Sequence, residues 1–361
     1  SIVDMGPHLQ AIRQNGLKLI WEDGSEHVAQ VKAFEKCSEA GEQDLVILGL
    51  KAHYLEMVAK DLESLLGPDT MILTVQNGIP WWYFHNHGGP HDGKQLESLD
   101  PDGVLTKYID GDRIIGCVVY PAAAVTEPGV IHHVEGDRFP IGELDGSESE
   151  RVEKLKELLE GAGFRSRVLD DIRSEIWLKA WGNLSFNPIS ALTHATLVDI
   201  CQFPETRKLA EKMMEEAQIV AEKLGITFRH TIEKRINGAE SVGAHKTSML
   251  QDVEAGRSLE TEALIGAVLE LAKLTETDCP HTFAVYSCVK LLNKVMVTQH
   301  AGVVVNHIDG GGFRCRLITH LAASPCSRFC SCGPGWPGNG RSGRVRPLLP
   351  AWRPGSLQSL R

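Results

Sequence analysis

The sequence predicts a mixed α/β domain of the doubly wound type, followed by an all-α helical domain. Three observations carry that reading. Asp44-Leu45-Val46-Ile47-Leu48-Gly49-Leu50 is an apolar run without polar alternation, the pattern of a strand buried on both faces of a parallel sheet. Thr70–Val75 is a second such run, and the stretch between them, His53–Leu66, has helical spacing, which makes a strand–helix–strand unit. From Ile172 to Met296 strand signal gives way to long helical patterns.

The remaining elements follow in order. Pro7–Asn15 reads as a helix stopped by Gly16. Residues 81–112 read as a long, polar, Gly-rich insertion. Strands are expected near Ile114–Val119, Val130–Val134 and Arg138–Ile141, with Gly129 at a turn, and Arg151–Glu160 as a charged helix closed by Gly161. The helical half shows patterns over Arg207–Leu224, Leu259–Leu274 and Phe283–Val295. The expected boundaries are 1–170 for the mixed domain and 171–298 for the helical one. Residues 299–361 are expected to be a disordered tail, because Gly, Pro, Arg, Cys and Ser displace any apolar period. The tail holds the chain's GxGxxG match, Gly333-Pro334-Gly335-Trp336-Pro337-Gly338. No strand precedes it and two prolines interrupt the helix it would open, so it carries no nucleotide-binding meaning.

Composition narrows the function classes. The formal net charge is −10, yet residues 310–361 contain eight Arg and no Lys, Asp or Glu, so the first 309 residues hold 29 basic against 47 acidic side chains. A body that acidic argues against nucleic acid as a partner. No run of about 18 apolar residues predicts a membrane span. Ser1-Ile2-Val3-Asp4 has neither the basic start nor the apolar stretch of a leader. A cytoplasmic location is the expectation. Cys37, Cys117, Cys201, Cys279 and Cys288 sit among apolar residues and are expected to be buried, reduced thiols. Cys315, Cys326, Cys330 and Cys332 match no zinc-site spacing, and no metal is expected.

Three constellations carry chemistry. Glu175–Ala191 is a mostly apolar helix interrupted by Lys179, Asn183 and Asn187 at i, i+4 and i+8, which places one ammonium and two amides on a single stripe. Such a stripe in an apolar wall can hold a small anion and hydrogen-bond a carbonyl; the alternative is a lysine reaching for water beside loop-capping amides. Ser248 opens a helical pattern, where N-capping is its ordinary role, and Glu260 falls in the first turn of another, where it complements the helix dipole. Lys51 and Asn77-Gly78 follow the two buried strands, where a doubly wound sheet presents its ligand site.

Taken together, LKAHY at 50–54, VQNGIP at 75–80, EIWLKAWGNLSFNPISA at 175–191 and SMLQDVEAGRSLE at 248–260 resemble the ketopantoate reductase (2-dehydropantoate 2-reductase) family, over about Val3 to Met296. The resemblance implies a Rossmann-type first domain and reduction of a small 2-oxo acid by NADPH or NADH. It implies Lys179 as general acid; Asn183, Asn187 and Ser248 as substrate ligands; and Lys51, Asn77, Glu260 and the backbone at Ala122 as cofactor and active-site contacts. A homodimer is the expected assembly. Three features depart from the family pattern. The family's opening strand, Gly-rich turn and helix have no counterpart, so the chain is expected to start within the second strand. Asp4-Met5 stands where an Arg usually meets the extra phosphate of NADPH, and an acid there suits a ribose diol instead. Leu197 stands where the family often has Asn. These leave two alternatives: a dehydrogenase of the same fold acting on another 2-oxo acid, and a non-catalytic fragment that only dimerises or binds ligand.

Overall fold

The computed structural model describes residues 1–304. The tail expectations, including those for Cys315, Cys326, Cys330 and Cys332, lie outside the described residues.

The chain opens with β1 (Ile2–Val3) and α1 (Gly6–Asn15), then β2 (Leu17–Ile20), β3 (Glu26–Ala29), β4 (Ala33–Phe34) and the single turn α2 (Cys37–Ala40). Pro7 starts α1 where its missing N–H costs nothing, and Gly16, at φ 79°, ends it. The two long apolar runs become β5 (Gln43–Leu48) and β6 (Leu66–Thr74), paired in parallel. Between them the expected helix is broken into a 3₁₀ turn at Ala52–Tyr54, α3 (Leu55–Ala59) and a second 3₁₀ turn at Asp61–Leu65. Its apolar face survives the breaks, since Leu55, Leu62 and Leu65 are all buried.

After α4 (Val104–Tyr108) come β7 (Ile114–Cys117), β8 (Ala122–Glu127), β9 (Val130–Glu135), β10 (Arg138–Glu143), α5 (Glu150–Gly161) and β11 (Arg165–Val168). The main sheet runs β11-β10-β7-β6-β5. A second sheet, β3-β2-β9-β8, and the two-stranded pair β1-β4 stand apart from it. The sequence patterns missed β2, β3, β4, β8 and β11, which are short or largely exposed and so lack an apolar signature. They also misjudged β5. Among the described residues it is an edge strand, and Ile47 is 54% exposed rather than buried.

The helical part comprises α6 (Ile172–Thr193), α7 (Leu197–Gln202), α8 (Pro204–Lys223), α9 (Ile232–Ser241), α10 (Ser248–Glu254), a π-helical turn at Glu262–Gly266 running into α11 (Ala267–Leu274), and α12 (Pro280–Gln299). Asp171 caps α6 by accepting from the Ser174 N–H at 3.0 Å. Two apolar layers sandwich the main sheet. One packs Leu73, Ile115 and Ile141 against α5 through Val152, Leu155 and Leu159. The other, much larger, joins the opposite face to α6 and the helices around it. No helix among the described residues is long and apolar enough to cross a membrane.

Residues 81–112 are not a polar surface insertion. Trp81, Trp82, Tyr83 and Phe84 are buried in the larger core. The Trp177 indole N–H donates to the Tyr83 hydroxyl at 2.7 Å, and the Arg173 guanidinium donates to the backbone carbonyls of Tyr83 and His85 at 2.7 and 2.6 Å. The insertion therefore braces α6 from behind. The expected pattern for the thiols holds for Cys37, Cys117, Cys201 and Cys279. Cys288 is exposed.

Candidate active site

Helix α6 presents Lys179 toward the loops that follow β6 and β7. Its Nζ donates to Asn77 Oδ1 at 2.6 Å and to the backbone carbonyl of Val119, and the Tyr120 ring lies 5.9 Å away. Both acceptors are neutral. Burial consequently pushes the ammonium down to about 8, against the upward pulls of Cys117 and Glu260 and alongside the downward push of Arg235. One turn further on, Asn183 is half-buried and makes no side-chain hydrogen bond among the described residues. Asn187, a turn beyond, is buried and donates to Ser248 Oγ at 3.5 Å. The stripe read from the sequence is thus a physical wall, with Ser248 facing it.

Ser248 is not the N-cap of α10. Thr247 is, accepting from the Leu250 N–H at 3.3 Å, and this leaves the exposed Ser248 hydroxyl available. Glu260 also sits earlier than expected, just before the helical turn rather than within it. It is buried, and burial raises its carboxyl pKa, opposed by Lys51 and by the Ala52 N–H.

The strand-end wall depends on close backbone approach. Gly78 holds φ 87°, and a Cβ there would overlap the Ala263 carbonyl, which accepts from the Ile79 N–H at 2.9 Å. Only glycine satisfies both conditions, so Asn77 is fixed by a contact to the turn that follows Glu260. Lys51, past the end of β5, meets Asp252 Oδ2 at 2.5 Å, and the other oxygen of Asp252 takes Arg257 Nε at 2.8 Å. A cavity of about 790 Å³ adjoins the cluster at Gln76, Ile79 and Glu260. Gln76 Oε1 is buried there without a hydrogen-bond partner among the described residues.

Lys179 and Asn77, Asn187 and Ser248, and Lys51 with Glu260 are therefore brought together, with Asn183 between the first two pairs along α6. Among the described residues, no side-chain hydrogen bond or ion pair joins Asp4 or Ala122 to them. Asp4 follows β1, where its carboxylate accepts from the Met5 N–H at 2.6 Å, and Ala122 opens β8 opposite Glu135. Leu197 begins α7, its N–H donating to the His245 carbonyl at 3.0 Å. Sequence reasoning missed Asp252 and Arg235. Asp252 lies within SMLQDVEAG, but nothing in its spacing tells which lysine it meets across 201 residues.

The residues present fit the nicotinamide end of a dinucleotide: a lysine and an asparagine at adjacent strand ends, a buried acid, and an unpaired amide oxygen. Among the described residues no strand runs through a Gly-rich turn into a helix at the β5 side of the sheet, where a pyrophosphate cradle would lie.

Comparison with known proteins agrees with this geometry. Residues 1–146 match the family model described as ketopantoate reductase PanE/ApbA, and residues 171–293 match that described as ketopantoate reductase PanE/ApbA C terminal. The chain is 52% identical over 292 residues to a 2-dehydropantoate 2-reductase of Mesorhizobium japonicum, covering 81% of this chain and 89% of that protein. A solved structure from Ralstonia solanacearum superposes with a TM-score of 0.77 at 35% identity, over 81% of this chain and 89% of that one. The crystal structure of 2-dehydropantoate 2-reductase from Geobacter metallireducens does so with a TM-score of 0.68 at 26% identity, over 80% and 90%.

Proposed function

Because the chain belongs to the ketopantoate reductase family, we infer that it is an oxidoreductase reducing 2-dehydropantoate to pantoate with a nicotinamide cofactor, a step of pantothenate and coenzyme A biosynthesis. The observation that carries this reading is Lys179, an ammonium held by two neutral oxygens on a wall that also presents Asn183.

The cofactor, when bound, supplies the hydride that reduces the keto carbon. Everything else falls to the chain. As the carbonyl carbon is reduced, negative charge grows on its oxygen. Lys179 stabilises that charge and gives up one proton to the oxygen, which yields the hydroxyl of a 2-hydroxy acid and leaves a neutral amine for solvent to reprotonate. A pKa of about 8 suits both parts of the task. The group is mostly charged at neutral pH, yet more acidic than an ordinary lysine, whose value is about 10.4. Asn77 and the Val119 carbonyl aim the ammonium through neutral oxygens, so the attraction of Glu260, which tightens its hold on the proton, is outweighed by burial. Asn183, Asn187 and Ser248 supply donors for the substrate's carboxylate and hydroxyl. Lys51, Asn77, Glu260 and the backbone at Ala122 would hold the nicotinamide and its ribose, and Asp4 the ribose diol at the far end. That placement of Asp4 favours NADH at least as well as NADPH.

The reading takes 1–170 as the cofactor domain and 171–298 as the substrate domain, in a cytoplasmic homodimer. The test is to follow loss of the reduced cofactor's absorbance with ketopantoate, using NADH and NADPH in turn and the intact chain. Pantoate formation supports the reading. Failure with ketopantoate but turnover of another small 2-oxo acid would move the substrate. Failure with both would leave a ligand-binding fragment.

A further inference from the structure

Arg235, on α9, is a cation that the described carboxylates leave unanswered. Arg151 meets Glu143, Arg165 meets Asp137, Arg207 meets Glu240, Arg229 meets Glu175 and Arg257 meets Asp252. Arg173 is spent on backbone carbonyls. Arg235 is half-buried and has neither an ion pair nor a side-chain hydrogen bond among the described residues. Burial holds its guanidinium below the usual range. A desolvated charge without a partner is strongly unfavourable, and a fold that keeps one has a use for it.

Its position gives the use. A Cβ on Gly182 would overlap the Arg235 Nη2 atom, so the guanidinium lies on the α6 backbone at a place that only glycine leaves open. Phe186 flanks it, with the ring centroid 5.9 Å from Cζ. Gly182 and Phe186 follow Lys179 by three and seven residues, so they face within about 60° of it around the helix. The charge reaches the catalytic centre, since Arg235 is among the groups that lower the Lys179 pKa. Three residues of helix rise about 4.5 Å, comparable to the reach from a keto oxygen to the neighbouring carboxylate of a 2-oxo acid.

We propose that Arg235 joins Asn183, Asn187 and Ser248 in holding the substrate: seated on Gly182, its guanidinium supplies the positive charge for the carboxylate, to which the neutral donors add hydrogen bonds, while Lys179 faces the adjacent keto oxygen. A planar fork suits a carboxylate, which it can engage through two parallel N–H bonds. The anion completes the charge balance that the protein itself leaves open. This rests on the reading of the substrate as a 2-oxo acid.

The test is titration of the intact chain with pantoate by calorimetry, alongside steady-state reduction of ketopantoate and of ketopantolactone, which lacks a free carboxylate. Arg235→Met is expected to raise the pantoate Kd and the ketopantoate KM at least tenfold, to leave the lactone's kcat/KM within about twofold, and to raise the Tm of the ligand-free protein. Gly182→Ala, which keeps Arg235 but fills its seat, should weaken pantoate in the same direction. An unchanged pantoate Kd in Arg235→Met overturns the assignment. So does a lowered Tm with equal losses for acid and lactone, which marks a structural arginine. A wild-type chain that neither binds pantoate nor reduces ketopantoate overturns the substrate reading itself, and this assignment with it.

Discussion

The two walls of the cleft are built in opposite ways. On one, α6 fixes Lys179, Asn183 and Asn187 by helical periodicity alone, and buried aromatics from residues 81–84 brace it from behind. On the other, Lys51 and Asn77 sit on irregular backbone, and their positions depend on single contacts: Lys51 with Asp252, and Gly78 against Ala263. The lysines differ accordingly. Lys51 pairs with a carboxylate, whereas the hydrogen bonds of Lys179 among the described residues go only to neutral oxygens. The lesson is a division of labour. On the function proposed above, the rigid helix carries the group that must be chemically tuned, and the strand ends carry groups that must be adjusted in space.

The largest expected effect comes from removing the tuned group. Lys179→Ala should lower kcat by about 10²–10⁴ while the cofactor Kd, measured by fluorescence titration, stays near wild type. A near-normal kcat in a folded variant would assign the acid elsewhere. Next comes the contact that sets the other wall. Gly78→Ala should cost about 2–4 kcal/mol by chemical denaturation, because a positive φ and an overlap with the Ala263 carbonyl act together. Gly225→Ala is its control: it has the same φ of 87° and nothing within 4 Å, so about 1 kcal/mol is expected.

A smaller effect of opposite sign follows from the tuning of Lys179. Its folded pKa of about 8 lies below the unfolded value, so between the two the unfolded chain holds more protons and stability rises with pH. Below about pH 8 both states are charged and the full penalty applies. Lys179→Met should therefore stabilise the ligand-free protein at neutral pH, by about 3 kcal/mol at most, with the gain vanishing above about pH 10.5. Loss of stability at neutral pH would show the lysine to be structural. The smallest effect separates neighbours on α10. Thr247→Ala should cost about 1 kcal/mol as the loss of a cap, and Ser248→Ala less than about 0.5 kcal/mol in stability, with its cost appearing in KM.

The same division explains what the sequence could tell. Periodicity converts spacing into geometry on a helix, so the α6 stripe was legible without a structure. So were the strands β5 and β6 themselves, although the burial of β5 was overestimated, since it lies at the sheet edge among the described residues with Ile47 exposed. Strand ends and helix starts drew attention to Lys51, Asn77, Ser248 and Glu260, but their expected roles came from family resemblance, since nothing local distinguishes Asn77-Gly78 from an ordinary turn. The polar composition of residues 81–112 concealed four consecutive aromatics, Trp81–Phe84, that were the real signal of burial. Arg235 was illegible because its meaning depends on the missing side chain of Gly182, 53 residues earlier in the chain and in contact only after folding.

The central claim is that Lys179 donates its proton from an ammonium tuned by burial. The most direct test is the pH dependence of kcat/KM for ketopantoate reduction by the intact chain, which reports the groups of the enzyme before the substrate binds. The account predicts a plateau through neutral pH and a tenfold fall per pH unit above about pH 8, as the ammonium is lost, with that limb absent from the residual activity of Lys179→Ala. A rate that stays flat to pH 10, or a limb that persists in Lys179→Ala, would contradict it.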